Sequence, residues 1–374
     1  MSAVTLIKCS DYGPEAVDGA VGRAVDSLGG ISAFVKPGMK VLLKPNMLAA
    51  RSIDKAVTTH PEVVRAVIRL VKQAGGIPAV GDSQAIGGFA KIAETTGIAA
   101  VCAAEGAELV ELSEAVRVAG KGTFKHFELA KRVVEADAVI NLPKAKTHCQ
   151  MLLTLAVKNL FGCIPGTRKA QWHFKAGVDK TAFATMLVEI HELVRPVLNI
   201  VDGVVGMEGN GPGSGTPREL GFVAASPDAH SLDIVLAEVL GVPHDMVPTI
   251  RLAKTRGLAP AGIGEIEVVG DYAGIDDARV RGFKLASASN LEWSIPEPVR
   301  KVLKSALTAK PVVDKEKCVN CMMCKEACPI AAIGPGKGRP DINLRLCIRC
   351  FCCQEICPKG AIEAAEGWLL KYLS

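Results

Sequence analysis

Residues 318–328 read CVNCMMCKEAC and are followed by Pro329; residues 347–357 read CIRCFCCQEIC and are followed by Pro358. No other feature of the chain constrains its folding as tightly. Cysteines at three-residue intervals place three thiols on one tight loop, and the second run repeats that demand. Nine of the thirteen cysteines fall within 318–357, while Cys9, Cys102, Cys149 and Cys163 are scattered. The opening MSAVTLIKCSDYGPEA has one early lysine and a very short apolar run, unlike a secretory signal, so a cytoplasmic location is expected. Thirteen cysteines in that compartment point to metal rather than disulfides.

The spacing says which metal. Cys318, Cys321, Cys324 and Cys328 with Pro329 give C-x2-C-x2-C-x3-C-P, and Cys347, Cys350, Cys353 and Cys357 with Pro358 repeat it. Three thiolates of one run cap three irons of a cubane, and the fourth ligand comes from the other run. The first [4Fe–4S] cluster is therefore expected on Cys318, Cys321, Cys324 and Cys357, and the second on Cys347, Cys350, Cys353 and Cys328. Each proline turns the chain away and removes a competing N–H donor. This is the bacterial two-[4Fe–4S] ferredoxin signature, covering about 314–365. Paired zinc knuckles would explain neither the third cysteine of each run nor the doubled Cys-Pro. Cys352 fits no ligand position and reads as a small packing residue. From Asp314 to Glu366 there are eight Lys/Arg and seven Asp/Glu. A freely diffusing carrier often shows a one-sided charge field, whereas a tethered one gains its effective concentration from the linkage. The module thus reads as a tethered wire, exchanging electrons with a redox partner protein or another ferredoxin.

A length of 374 residues leaves ample chain for a second, larger domain. The expected division is 1–294 for an α/β domain, 295–312 for a proline-punctuated basic linker, 313–366 for a small α+β ferredoxin-like domain, and 367–374 for an apolar tail. No run of eighteen apolar residues is free of charges, so no membrane span is expected. The formal charge is +5, and two clusters of about −2 each would bring it to about +1, which gives no argument for nucleic acid.

In the large domain, short apolar runs alternate with helical stripes. MKVLLK (39–44), IPAVGDS (77–83), DAVINLPK (137–144), VLNIVDGVV (197–205) and GFVAAS (221–226) read as strands. PEVVRAVIRLVKQA (61–74) and PDAHSLDIVLAEVLG (227–241) read as helices. The expected fold is α/β, a mostly parallel doubly wound sheet. Ligands of such sheets bind beyond the carboxyl ends of the strands. The polar residues there are Lys44-Pro45-Asn46, Asp82-Ser83, Lys144, Lys146-Thr147-His148 and Asp202-Gly203. Lys144, Lys146 and His148 stand at i, i+2 and i+4, which in an extended segment turns all three to one side. A helix carrying Lys158-Asn159 follows, and Arg168, Lys169 and His173 lie just beyond. Such a basic set suits a carboxylate, a phosphate or an anionic cofactor; the alternative is a solvated lysine loop.

Other features are less directive. GNGPGSG (209–215) matches neither phosphate-binding glycine pattern and reads as a lid or as a plain surface loop. Asp82, Asp202 and Asp233 are general acid–base candidates, with helix capping or turns as the alternative. His60, His126, His191, His230 and His244 show no metal-ligand pairing and receive no role.

The large domain resembles the family called domain of unknown function 362. The likeness rests on KPN (44–46), THP (59–61), GDS (81–83), NLPKAKTH (141–148), KNLFGCIPG (158–166) and DGVVGMEGNGPGSG (202–215). It is more distantly similar to the nickel-pincer lactate racemases, through His148, Lys158, Pro165-Gly166 and His173. That likeness implies a place, a cleft lined by His148 and Lys158, where those enzymes hold a nicotinic-acid-derived nickel cofactor. The expected function is an oxidoreductase passing low-potential electrons through two [4Fe–4S] clusters to or from an anionic small molecule. In it, Lys158 and His148 manage protons, and Lys144, Lys146, Asn46, Asp82 and Asp202 hold the ligand or a second cofactor of undetermined kind. A non-catalytic electron or cluster carrier is the alternative, and a racemase-like organometallic enzyme is a third reading.

Overall fold

A computed structural model describes residues 2–84, 87–166, 168–176, 179–286 and 309–365. Most of the expected linker, through residue 308, and the whole 367–374 tail lie outside the described residues. In chain order the strands of the large domain begin with β1 (Ser2–Lys8), β2 (Lys40–Pro45), β3 (Ile77–Asp82), β4 (Glu108–Glu111), β5 (Ala115–Ala119) and β6 (His126–Ala130). They continue with β7 (Ala138–Leu142), β8 (Lys144–His148), β9 (Leu152–Thr154), β10 (Leu198–Glu208), β11 (Thr216–Ser226) and β12 (Ile266–Gly270). The main sheet runs β12-β1-β11-β10-β7-β2-β3-β4, with β8 and β9 attached beside β10, while β5 and β6 form a separate hairpin. Its pairings are parallel except at β11 and at the β8–β9 hairpin.

The period-two alternation of the strands decides the layers. Val41, Leu43, Ala138 and Ile140 belong to one apolar core, and Leu42 and Val139 belong to the other. The first core is covered by helices 14–26 and 61–73, the second by helices 180–194 and 229–239. Helix 61–73 forms where the sequence reads as one: His60 caps its first turn, Pro61 sits at the tolerated first position, and its valines and Ile68 are buried. The sheet is therefore doubly wound.

Pro143 ends β7, and the chain resumes as β8 beside the far half of β10, pairing Lys144 with Asp202 and Lys146 with Met207. All five β8 residues are buried. Three cationic or titratable side chains are thereby carried into the protein at the carboxyl ends of β2, β3 and β10. Glycines 209–215 form the tip of the long β10–β11 hairpin.

The small unit has β13 (Lys310–Val313) antiparallel to β16 (Ile362–Ala365), a hairpin of β14 (Ile333–Pro335) and β15 (Pro340–Ile342), and short helices 323–326 and 352–356. Among the described residues no helix is long and apolar enough to cross a membrane.

Candidate functional site

The two cysteine runs fold alike. Asn320 and Arg349 hold equivalent places and both have positive φ, as do Met322 and Phe351. Left-handed backbone costs a non-glycine residue about 1–2 kcal/mol, so the paired occurrences mark loops wound to turn their thiols inward. Cys318, Cys321, Cys324 and Cys357 line one cavity of about 330 Å³, together with Pro358 and Ile362. Cys357 thus joins the run that does not contain it. Burial, and then the neighbouring Cys350, Cys347, Cys324 and Cys328, push the Cys353 thiol well up. Burial and the charges of Cys350 and Cys328 likewise raise Cys347. Burial and crowding thus disfavour free thiolates here, and a cationic centre would offset that cost. Backbone N–H groups of Ala332 and Ala361 donate to the sulfurs of Cys328 and Cys357, each at 3.2 Å. Such bonds stabilise cluster-bound thiolate and tune potential. No described group of three or more His, Cys, Asp or Glu converges tightly enough for a single metal ion. The cysteines stand around a space instead, which suits a cluster bringing its own sulfide. The residues fit [4Fe–4S] chemistry.

The large domain holds two polar centres. In the first, Lys144 Nζ donates to Asp202 Oδ2 at 2.8 Å and to the Tyr12 hydroxyl at 2.7 Å, and that hydroxyl donates to Asp202 Oδ1 at 2.7 Å. The His60 backbone N–H donates to Asp202 at 2.8 Å, and the His60 ring stacks on Tyr12 with centroids 3.6 Å apart. Burial lowers the Lys144 pKa against the pull of Asp202. Burial also takes His60 down to about 4, so the ring is neutral. Every polar atom of the Lys144 and Asp202 side chains is engaged, and this centre is closed.

The second centre is open. A cavity of about 910 Å³ is lined from the large domain by Lys44, Asn46, Asp82, Ser83, Gln84, Lys158, Asn159, Phe161, Lys169 and His173. The small unit contributes Glu326, Ala327, Cys352, Glu355 and Ile356. Lys44 pairs with Asp82 at 2.8 Å, and Gly162 passes so close that a Cβ there would overlap both. Lys158 lies over the rings of Phe161 and Phe183 at 5.0 and 5.5 Å. Burial is the main cause that lowers its pKa, opposed by Glu355. Burial also brings Lys169 down to about 7 and His173 to about 4. Neither Lys158 nor Lys169 has a carboxylate within ion-pair distance among the described residues; Lys169 donates to the Ile164 carbonyl.

Glu355 joins the two units. Its Oε1 lies 3.1 Å from His148 Nε2, off the line of a full hydrogen bond. His148 Nδ1 accepts from the N–H groups of Gln150 and Met151 at 3.0 and 3.2 Å, so the ring proton sits on Nε2. Burial holds His148 at about 4. Burial opposes ionisation of Glu355, but His148 and the fields of Lys158 and His173 outweigh it and hold the carboxyl at about 2. Around this contact Arg51 donates to the Cys357 and Pro358 carbonyls, and Gln354 donates to Asn210. A Cβ on Gly213 would approach the Glu355 carbonyl to 2.7 Å. The glycine-rich loop is thus a seat for the small unit.

Of the residues expected from sequence, Asn46, Asp82 and Lys158 line the cavity. Lys146 donates to Asn46 at 3.0 Å just behind it, and burial takes its pKa down to about 7. His148 reaches the cavity only through Glu355, and Lys144 and Asp202 turn away into the closed centre. Sequence reasoning missed Glu355, Gln84, Tyr12 and the cavity-facing place of Cys352. The first two carry no local signal; Lys44, of the KPN motif, was among the strand-end residues named from sequence and lines the cavity.

A family model described as domain of unknown function (DUF362) matches residues 41–238, and one described as 4Fe-4S dicluster domain matches 310–358. The thylakoid-associated protein sll1697 of Synechocystis is 42% identical over 260 residues, 70% of this chain and 81% of that protein. The lactate racemase apoprotein of Thermoanaerobacterium thermosaccharolyticum aligns at TM-score 0.39 and 10% identity, over 61% of this chain and 55% of that structure. The chain belongs to the DUF362 family and carries a ferredoxin-type 4Fe-4S dicluster domain at its C-terminal side.

Proposed function

We propose that the protein is an iron–sulfur oxidoreductase whose ligand, a small organic anion, sits between the lysines of the large domain and the cluster-bearing unit. Two [4Fe–4S] clusters, held by the crossed cysteine sets, would supply or accept electrons one at a time. The observation that carries this reading is the shared cavity. Its floor is basic, and one wall is helix 352–356, which holds Cys353 and leads to Cys357. With Lys144 and Asp202 paired in their own centre, Lys44, Lys146, Lys158 and Lys169 stand against Asp82 and Glu355, with the exposed Glu326 at the rim, and an anion would balance the inner lysines. Lys158 and Lys169 bind the anionic group, beside the Lys44–Asp82 pair. Lys158 is the proton carrier, since burial lowers its pKa without closing it off from the cavity. His148 acts as a positioning residue by orienting Glu355.

The test is electron paramagnetic resonance of the dithionite-reduced, anaerobically purified full chain with and without succinate. Succinate is expected to perturb the cluster signals in the wild type and not in Lys158→Ala, at equal iron content. Unchanged signals in both proteins would favour a carrier without a ligand site.

A further inference from the structure

We infer that the ligand carries, besides its anionic group, a planar edge that both donates and accepts hydrogen bonds, of the primary carboxamide class, and that Gln84 reads this edge. The inference rests on the proposed anion site and names its second specificity element. Gln84 follows the Asp82-Ser83 pair at the end of β3 and lines the cavity. It is only 7% exposed, and both its Nε2 and its Oε1 are buried without a partner among the described residues. The neutral amide and hydroxyl groups nearest it on the wall are engaged. Asn46 Nδ2 donates to Asn159 Oδ1 at 2.9 Å, and Asn159 Nδ2 donates to Asn141 Oδ1 at 2.8 Å. The Ser83 hydroxyl oxygen accepts from Gly166 N–H at 2.7 Å, and Lys44 is paired with Asp82. A buried amide with neither hydrogen bond made is costly, and native proteins rarely keep one.

The chemistry of the amide narrows what would satisfy it. Gln84 offers one donor edge and one acceptor in a single plane. A carboxylate accepts from Nε2 but sets its second oxygen against Oε1. A primary carboxamide answers both atoms at once with a paired donor and acceptor. Phe161 and His173, an edge-to-face pair with ring centroids 5.3 Å apart, line the same cavity. The anionic end then falls to Lys158 and Lys169, which have no carboxylate of their own. No electron or proton step is added by this assignment.

Calorimetric titration of the anaerobic full-length holoprotein tests it with three pairs of probes, namely malonate, succinate and glutarate against malonamate, succinamate and glutaramate. The three lengths cover the unknown span between Gln84 and the lysines. Gln84→Met keeps the side-chain volume and removes both polar atoms. It is expected to weaken the best-bound monoamide about tenfold, the loss of two neutral hydrogen bonds. Its dicarboxylate counterpart should change by less than about twofold, at unchanged iron content. Gln84→Glu, as a second variant, should weaken monoamide and dicarboxylate together by adding a negative charge beside the ligand. The inference is overturned if Gln84→Met leaves monoamide affinity unchanged or lowers both probe classes equally. If no probe of either class binds the wild type, the anion site itself fails and the proposed function falls with it.

Discussion

The two lysine centres of the large domain use the same residue type at neighbouring strand ends to opposite effect. Lys144 is closed in by Asp202 and Tyr12, with the half-buried His60 ring stacked outside. Lys158 and Lys169 face a cavity with aromatic rings and a backbone carbonyl as their protein partners. A buried charge that finds its counter-ion inside the chain is scaffold, whereas one left with an excess is poised for something brought from outside. The difference lies in the partners: those of Lys144 sit 58 and 132 residues away in sequence, whereas the contacts of Lys158 and Lys169 come from nearby in the chain.

The comparison is broken most forcefully at Asp202. Asp202→Ala would leave Lys144 buried without its counter-ion and strip acceptors from Tyr12 and the His60 N–H. A loss of about 3–5 kcal/mol is expected in denaturant unfolding, the usual cost of removing one partner of a buried pair. Lys158→Ala should change stability by less than about 1 kcal/mol, because it relieves repulsion as it removes packing, yet abolish the anion response. Equal destabilisation by the two variants would erase the distinction.

A smaller effect follows from pH. Burial holds Lys169 at about 7 against an ordinary 10.5, so its charge is lost between pH 6 and 8.5. Anion affinity should fall about tenfold across that window, read by titration calorimetry with succinate. Ligand-free stability moves the other way. Between pH 7 and 10.5 the unfolded chain binds a proton that the folded chain has shed, so this lysine's contribution rises with pH. It is fully present above the ordinary lysine value and lost as pH falls through about 7. Affinity flat across the window would remove Lys169 from the site.

Much of this was legible in the sequence, for identifiable reasons. Cysteine spacing encodes a local loop, so the two cysteine runs of a 4Fe-4S dicluster domain could be read directly. The sheet was readable because β2, β3 and β7 are continuous apolar runs. The i, i+2, i+4 spacing suggested one strand carrying Lys144, Lys146 and His148, and 144–148 is a buried strand, but spacing could not say where each side chain ends. Lys144 meets a tyrosine 132 residues away, and His148 meets a glutamate on the cluster unit. Glu355, between Cys353 and Cys357, looked like any surface charge on a ferredoxin helix. Gln84 stood out only once its empty surroundings were visible. The glycine-rich loop could be read as lid or surface, because its role depends on what docks against it.

The central claim is that an anion binds between the lysines and the clusters, and it is tested most directly by the cluster midpoint potential. Anaerobic spectroelectrochemical titration of the full chain should be run with and without saturating succinate, in the wild type and in Lys158→Ala. A negative charge beside the clusters opposes the added electron, so succinate should lower the potential in the wild type. By reciprocity, reduction must weaken anion binding by the same factor, and a tenfold weakening corresponds to about 59 mV for a one-electron step. Lys158→Ala should show no shift. A wild-type potential that succinate leaves unmoved, although the anion demonstrably binds, would contradict the account by placing the anion site out of reach of the clusters.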